Sequence, residues 1–399
     1  MSKLIKNITY STFLTVTLIF LTAIIMMDCN KHNIDDKEAF TPDPVILEKQ
    51  EVKMLETGDN APVFSLPDIH GKTVSIDDFD DAKILVVAFI CNHCPTAQAY
   101  EDRLIAFTEE YKEKNVAVVA INPTSPYALL PEECGYSDLD DKFENMKIRA
   151  ETKGYNFPYL YDGDNQAISI QYGPQATPHF FVFDDQRKLR YSGRMDGTER
   201  PGTANGEDLR LAVDQVLAGE EVTNPRTKSF GCSIKWSWKS DWTEKMNKEW
   251  QERPVTLKKT NIAGIDTLLT NTSNKLRLIN IWASWCSPCV IELPELVLLQ
   301  RYYGGRAFEF ITLSTDKPDK FDETLKLLKE KHLPVRNFIY SGADTDQFIE
   351  TIDPEWSGAL PFTLLIEPGG KIVYKTQGIV HLLELKRAIV KHPMVGRYF

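Results

Sequence analysis

The sequence predicts an α/β protein built twice over: two domains, each a mixed central β-sheet with helices on both faces. Three observations carry that expectation. The 399 residues exceed what one core usually holds, at roughly 100–200 residues per domain. Two Cys-x-x-Cys pairs, Cys91/Cys94 and Cys286/Cys289, recur in similar surroundings 195 residues apart. Both copies alternate apolar strand patterns with helical ones and finish in a hairpin, an order that places helices on both faces of a mixed sheet.

The first segment is set apart by composition. Lys3 and Lys6 precede an uncharged run from Ile8 to Met27, so residues 1–28 are expected to form a signal peptide or membrane anchor. Either implies that the rest of the chain lies outside the cytoplasm. Residues 29–56 are polar and acidic, with Asp35, Asp36, Glu38, Pro42 and Pro44, the composition of a tether. The first folded unit is placed at 57–221, a tryptophan-rich linker at 222–252 and the second folded unit at 253–399.

Within the first unit, the apolar run 84–90 reads as a strand entering Cys91-Asn92-His93-Cys94-Pro95, and Leu104, Ile105, Phe107 and Tyr111 mark the following helix. Strand 116–121, an acidic helix 139–153, strand 157–161, a short helix 165–172, a hairpin turning at 184–186 and a last helix at 206–219 complete it. The second unit repeats the plan: strand 276–281, Trp285-Cys286-Ser287-Pro288-Cys289, and a helix through Leu293, Leu296, Leu299 and Tyr302. Strand 307–313, helix 318–332, strand 335–340, helix 344–353, a hairpin turning at Pro368-Gly369-Gly370 and helix 380–391 follow. Trp236, Trp238, Trp242 and Trp250 lie between the units, where such rings are expected to pack the linker against the folded parts.

Composition excludes some functions. Hydrophobic residues at 42% and charged residues at 26% are those of a soluble globular chain rather than a disordered or polytopic one. A net charge of -11 argues against nucleic acid as a partner, because phosphate binding depends on displacing counterions with Lys and Arg. Seven cysteines are too few for a disulfide-stapled framework, and neither CxxC has a second ligand pair at zinc spacing. No organic cofactor and no metal are therefore expected.

The chemistry follows from where each pair sits. A thiol at a helix start meets unsatisfied N–H groups and the positive end of the helix dipole, which favours its thiolate. A second cysteine three residues later returns within one turn and can resolve a mixed disulfide. Cys91 and Cys286 are thus expected as nucleophiles and Cys94 and Cys289 as resolving thiols. His93, if protonated, would stabilise a neighbouring thiolate and make the first disulfide the better oxidant, whereas Pro288 offers neither charge nor N–H. That difference would favour an internal relay from Cys286/Cys289 to Cys91/Cys94. Cys134 and Cys232 are without an assigned role.

Trp285 to Cys289 after a hydrophobic strand, with Leu360-Pro361-Phe362 before the hairpin, resembles the extracytoplasmic thioredoxin-fold reductases that serve cytochrome c maturation. The resemblance implies two thioredoxin-like domains and a cis Pro361 facing the disulfide, with Pro178 its counterpart. It also implies a supporting place for Trp285 and a proton-shuttling role for Glu292 towards Cys289. Cytoplasmic thioredoxins have an aspartate six residues before the nucleophile; here those positions are Asn280 and Leu85.

The first unit resembles the alkyl hydroperoxide reductase and thiol-specific antioxidant branch of the peroxiredoxin and thioredoxin superfamily. The motifs are Gly58-Asp59-Asn60-Ala61-Pro62-Val63-Phe64, Cys91 to Pro95, Thr177-Pro178, and Gly231-Cys232-Ser233-Ile234-Lys235-Trp236. The proline and threonine that true peroxidases set seven and three residues before the reacting cysteine are replaced by Ile84 and Ala88 before Cys91, and by Val87 and Cys91 before Cys94. Cys29 resembles the acceptor cysteine of a bacterial lipoprotein, with Asp28 where that pattern has a small residue.

These features predict a bacterial thiol-disulfide oxidoreductase, periplasmic or attached to the membrane through its N-terminus. Its partners would be disulfide-containing clients and an upstream membrane or periplasmic thiol reductant. Two other functions fit the same residues: a peroxide reductase in the first unit recharged by the second, and a non-catalytic scaffold.

Overall fold

Every residue of the strand Ile84–Phe89 (β3) is buried, which is the environment of a strand covered on both faces. The computed structural model describes residues 40–397; the expectations for residues 1–28 and for Cys29 lie outside them. From Pro42 onward the chain forms one compact unit containing both sheets. Among the described residues, no helix is long and apolar enough to cross a membrane.

The first sheet has the order β5-β4-β3-β6-β7, from Val116–Asn122 (β4), Tyr159–Tyr161 (β5), His179–Phe183 (β6) and Leu189–Gly193 (β7). Strands β3, β4 and β5 are parallel, while β6 pairs antiparallel to both β3 and β7. A small hairpin of Ser65–Pro67 (β1) and Thr73–Ser75 (β2) precedes them. The helices are Pro95–Lys112 (α1), Phe143–Lys153 (α2), Ala167–Tyr172 (α3) and Glu207–Leu217 (α4). The helix expected from residue 139 begins at Phe143; before it the Asp141 carboxylate accepts from Asn92 N and the Asp140 carbonyl from Asn92 Nδ2 in the neighbouring Cys-x-x-Cys loop.

The second sheet has the order β13-β12-β9-β10-β11-β8. Its strands are Thr256–Thr260 (β8), Leu276–Trp282 (β9), Phe308–Ser314 (β10), Arg336–Tyr340 (β11), Phe362–Ile366 (β12) and Ile372–Gln377 (β13). Along β9, Leu276 and Leu278 join one apolar layer while Ile279 and Ile281 join the other, the period of two that a doubly covered sheet requires. Helices Ile262–Thr270 (α6), Ser287–Tyr303 (α7), Phe321–Glu330 (α8), Thr345–Ile352 (α9) and Leu382–Lys391 (α10) cover it.

The tryptophan-rich segment contains a helix, Ser240–Gln251 (α5). Trp236 stacks on Trp238 with centroids 5.1 Å apart, and Trp250 joins the second domain's core beneath the Arg301 guanidinium. Trp242 instead faces solvent. A short helical turn at Pro131–Cys134 docks the first sheet's loops onto α7. There Glu132 takes a bidentate pair from Arg301 at 2.8 and 3.0 Å, Tyr303 Oη donates to Ser137 O at 2.9 Å, and Arg387 reaches Asp138 at 3.1 Å. Cys134 is buried among the residues of the second core, the environment of a small hydrophobe.

Candidate active site

The two Cys-x-x-Cys loops leave equivalent strands, yet their helices begin at different cysteines. Helix α7 starts at Ser287, so Cys286 is its N-cap and the Cys286 carbonyl accepts from Val290 N at 3.1 Å. Helix α1 starts at Pro95, so its N-cap is Cys94, whose carbonyl accepts from Gln98 N at 3.0 Å. Cys91 was expected at the helix start; it lies three residues upstream of the N-cap, in the loop two residues after β3. Proline at the first helical position accounts for this, since it has no N–H to lose and its φ already suits the helix.

In the second domain Cys286 and Cys289 form a disulfide with Cα atoms 5.3 Å apart. Cys286 and Cys289 are both buried, at 6% and 0% exposure, while the neighbouring Trp285 is 72% exposed. Pro288 lies within the first turn of α7. Asp316 holds the loop before the disulfide, accepting from Ser284 N at 2.9 Å and Ser284 Oγ at 2.8 Å. One turn after Cys289, Glu292 accepts from Asn280 Nδ2 at 2.9 Å and from Val380 N at 3.1 Å. Burial pushes the Glu292 carboxyl above its usual range against those two hydrogen bonds. Asn280 also donates to Thr363 Oγ1 at 3.0 Å, so the residue standing where an aspartate was missing orients the glutamate instead. The Leu360-Pro361 bond is cis, and so is Thr177-Pro178.

In the first domain Cys91 and Cys94 are free thiols, 2% and 0% exposed. Burial raises the Cys91 thiol well above its ordinary value, and the hydrogen bond with Cys94 and the charge of Asp141 add to the rise. Cys94 goes the other way: burial opposes ionisation, but hydrogen bonds with Cys232 and Cys91, the His93 charge and the Ala97 N–H hold it well below. The thiol favoured as thiolate is therefore Cys94, the one at the helix terminus. His93 is buried, which disfavours its proton, yet the charge and hydrogen bond of Asp141 outweigh that and raise its pKa. His93 Nδ1 pairs with Asp141 Oδ2, while Asp141 Oδ1 accepts from Asn92 N at 2.5 Å and Asn122 Nδ2 at 3.3 Å.

Sequence reasoning missed Asp141, which sits in an acidic run that reads as the first turn of a helix. It also missed Thr177, whose Oγ1 lies 3.0 Å from Cys91 Sγ. The Thr177-Pro178 dipeptide was the available signal. Cys91, His93 and Asp141 are the one group among the described residues whose donor atoms, all within 4.8 Å of one another, could share an ion. Asp141 is already committed to His93, Asn92 and Asn122, an arrangement that suits an oriented ion pair.

The two sites lie towards opposite ends of α7. Its first residue follows Cys286, while Tyr302 and Tyr303 at its far end reach Asp140 and Ser137, which in turn bond Asn92 beside the first pair. The 17 residues of α7, at about 1.5 Å each, span roughly 25 Å.

Comparison with known proteins agrees with this plan. The AhpC/TSA family model matches residues 57–192 and the Redoxin family model matches residues 251–388. The thiol-disulfide oxidoreductase ResA of Bacillus cereus is 27% identical over 124 residues, 30% of this chain and 64% of that protein. The ResA of Oceanobacillus iheyensis is 26% identical over 30% of this chain and 57% of its own length, so the chain spans less than two thirds of these relatives. "Putative peroxiredoxin Rv2521" of Mycobacterium tuberculosis is 29% identical over 40% of this chain and 85% of that protein. A crystal structure of the hypothetical protein SMc02350 from Sinorhizobium meliloti is 37% identical over 47% of this chain and 98% of that one, with a TM-score of 0.41. The chain is a two-domain protein of the thioredoxin-like and peroxiredoxin superfamily, its C-terminal domain related to the ResA-type reductases.

Proposed function

We propose that the protein is an extracytoplasmic thiol-disulfide oxidoreductase whose client-facing site is Cys286/Cys289 and whose second redox pair is Cys91/Cys94. The observation that carries this is the Cys286–Cys289 disulfide at the N-terminus of α7, next to the exposed Trp285. An exposed indole beside the pair suits an unfolded or extended client better than a small polar substrate.

In the reduced enzyme, the Cys286 thiolate attacks a client disulfide; one client sulfur leaves as thiolate and a Cys286–client disulfide forms. Glu292 accepts the proton of Cys289, whose thiolate then attacks Cys286 Sγ. The second client sulfur leaves, the Cys286–Cys289 bond forms, and two electrons have passed to the client. An upstream dithiol, membrane-linked or periplasmic, returns them. The domain limits 57–221 and 253–399 and the supporting roles of His93, Pro178, Trp285, Pro288 and Pro361 belong to the same proposal.

Peroxide reduction in the first domain is less well supported, because Cys91 is buried with a raised pKa and the peroxide-binding proline and threonine are absent. The test is trapping: Cys289→Ser protein in a bacterial envelope should accumulate mixed disulfides through Cys286, released by dithiothreitol. Cys289→Ser protein that traps no client, together with wild-type protein that does not reduce insulin, would overturn the assignment.

A further inference from the structure

The extended edge beside the first pair is already occupied by the chain itself. Thr177 N donates to Cys232 O at 2.9 Å and Cys232 N donates to Thr177 O at 3.1 Å, an antiparallel bridge at the residue preceding cis Pro178. Leu360, the residue preceding the other cis proline, has no such bridge among the described residues. Added strands of this kind are how extended peptides are held on open sheet edges. Here the strand delivers a cysteine: Cys94 Sγ lies 3.3 Å from Cys232 N and 3.0 Å from Thr177 O.

The segment is built for this approach. Gly231 has φ of +139°, and a Cβ there would meet Thr177 O at 2.1 Å, so only glycine lets the strand come this close. Beyond Cys232 the chain is sewn down by Ser125 N to Lys235 O at 3.0 Å, by Ser237 N to Gln166 Oε1 at 2.8 Å and by the Lys235–Glu133 ion pair. Of the three cysteines Cys91, Cys94 and Cys232, only Cys232 is partly exposed.

The geometry points to Cys232 as a third redox cysteine of the first site, the outlet through which the buried Cys91/Cys94 pair exchanges electrons with an external dithiol. The inference rests on the proposed redox role of that pair. From the oxidised pair, the Cys232 thiolate attacks Cys94 Sγ. The Cys94–Cys232 bond forms, the Cys91–Cys94 bond breaks, and Cys91 takes up the proton that Cys232 released. A thiolate of the external dithiol then attacks the partly exposed Cys232 Sγ and Cys94 departs as thiolate. The dithiol's second thiol resolves the mixed disulfide, leaving Cys232 reduced and the dithiol oxidised. Cys94 suits this exit because a low-pKa sulfur is the better leaving group.

Disulfide mapping tests it. Full-length protein is equilibrated in glutathione redox buffers, quenched by alkylation, digested without reduction and analysed by mass spectrometry. A Cys94–Cys232 cross-link with alkylated Cys91 is expected in the wild type and should dominate in Cys91→Ser. Cys232→Ser should slow dithiothreitol reduction of the first pair about tenfold while Cys286/Cys289 in the same molecules reports intact folding. Gly231→Val should lower the cross-link yield. If Cys91–Cys94 forms and Cys232 stays free throughout, including in Cys91→Ser, Cys232 is not a redox residue although the pair is. If Cys91 and Cys94 remain thiols at every potential, the redox reading of the first site falls, and this inference with it.

Discussion

The two Cys-x-x-Cys loops share a strand, a helix and a cis proline, and differ by where the proline in the loop falls. Pro95 follows the second cysteine and Pro288 lies between the pair, so the helix dipole meets Cys94 in one domain and Cys286 in the other. A three-residue shift of helix start thus exchanges which sulfur is activated. Both cysteine pairs are buried, but the first is covered by the chain's own Cys232 segment while the second stands next to exposed Trp285. Similar motifs in one chain are therefore not equivalent sites.

The largest test of that contrast is removal of the helix-cap thiol in the second domain. Cys286→Ser should lower insulin-disulfide reduction by about a thousandfold, because the nucleophile is lost outright. If most of the rate survives, the first pair is the client-facing one. Glu292→Gln comes next. The expected slowing of the resolving step is about a hundredfold, the scale of one general base. Because burial raises its pKa, Glu292 stays protonated above the ordinary glutamate range. The wild-type rate should fall as pH drops through that raised value, and the Gln variant should lose this limb. Stopped-flow tryptophan fluorescence across pH would read both effects.

A smaller effect is expected in the first domain. Asp141→Asn removes the partner whose charge and hydrogen bond raise the His93 pKa, and burial then favours neutral imidazole. The Cys94 thiolate loses a nearby positive charge, so its titration moves up and the first disulfide becomes harder to reduce. Its potential should fall by about 30 mV, a tenfold change in equilibrium with glutathione. The pair also contributes stability with a definite sign. A raised His pKa stabilises the fold below the unfolded value of about 6.5, and the contribution is lost as pH rises through the folded value. Denaturant melts of wild type and Asp141→Asn should converge above that point, and a gap widening with pH would contradict the assignment.

Much of this was legible before any coordinates, and what was not has physical reasons. Strands such as Ile84–Phe89 and Leu276–Trp282 announce themselves because they are buried on both faces. Strand β8, Thr-Leu-Lys-Lys-Thr, does not, since it lies at a sheet edge where only Leu257 and Thr260 turn inward. The helix register is encoded in Pro95 against Pro288, while the shared Cys-x-x-Cys pattern alone makes the first cysteine of each pair look equivalent. Asp141 was hidden because an acidic run before a helix normally complements the dipole. The approach of Cys232 to Cys94 depends on a contact 138 residues apart, which neither spacing nor periodicity encodes.

The smallest predicted effect concerns whether the contrasting sites sit in one cooperative body. Arg301 reaches from α7 to Glu132 of the first domain and to Asn247 of α5, and stacks over Trp250. Glu132 is substantially exposed, so the ion pair itself contributes little and the hydrogen bonds and ring contact carry most of the effect. Arg301→Ala should therefore cost about 1–2 kcal/mol. The informative quantity is the shape of the calorimetric trace rather than its size. If the domains unfold together, the single transition moves down intact. If the interface is a weak docking surface, the loss splits it in two, and the first domain's thiols become alkylated before the second domain melts.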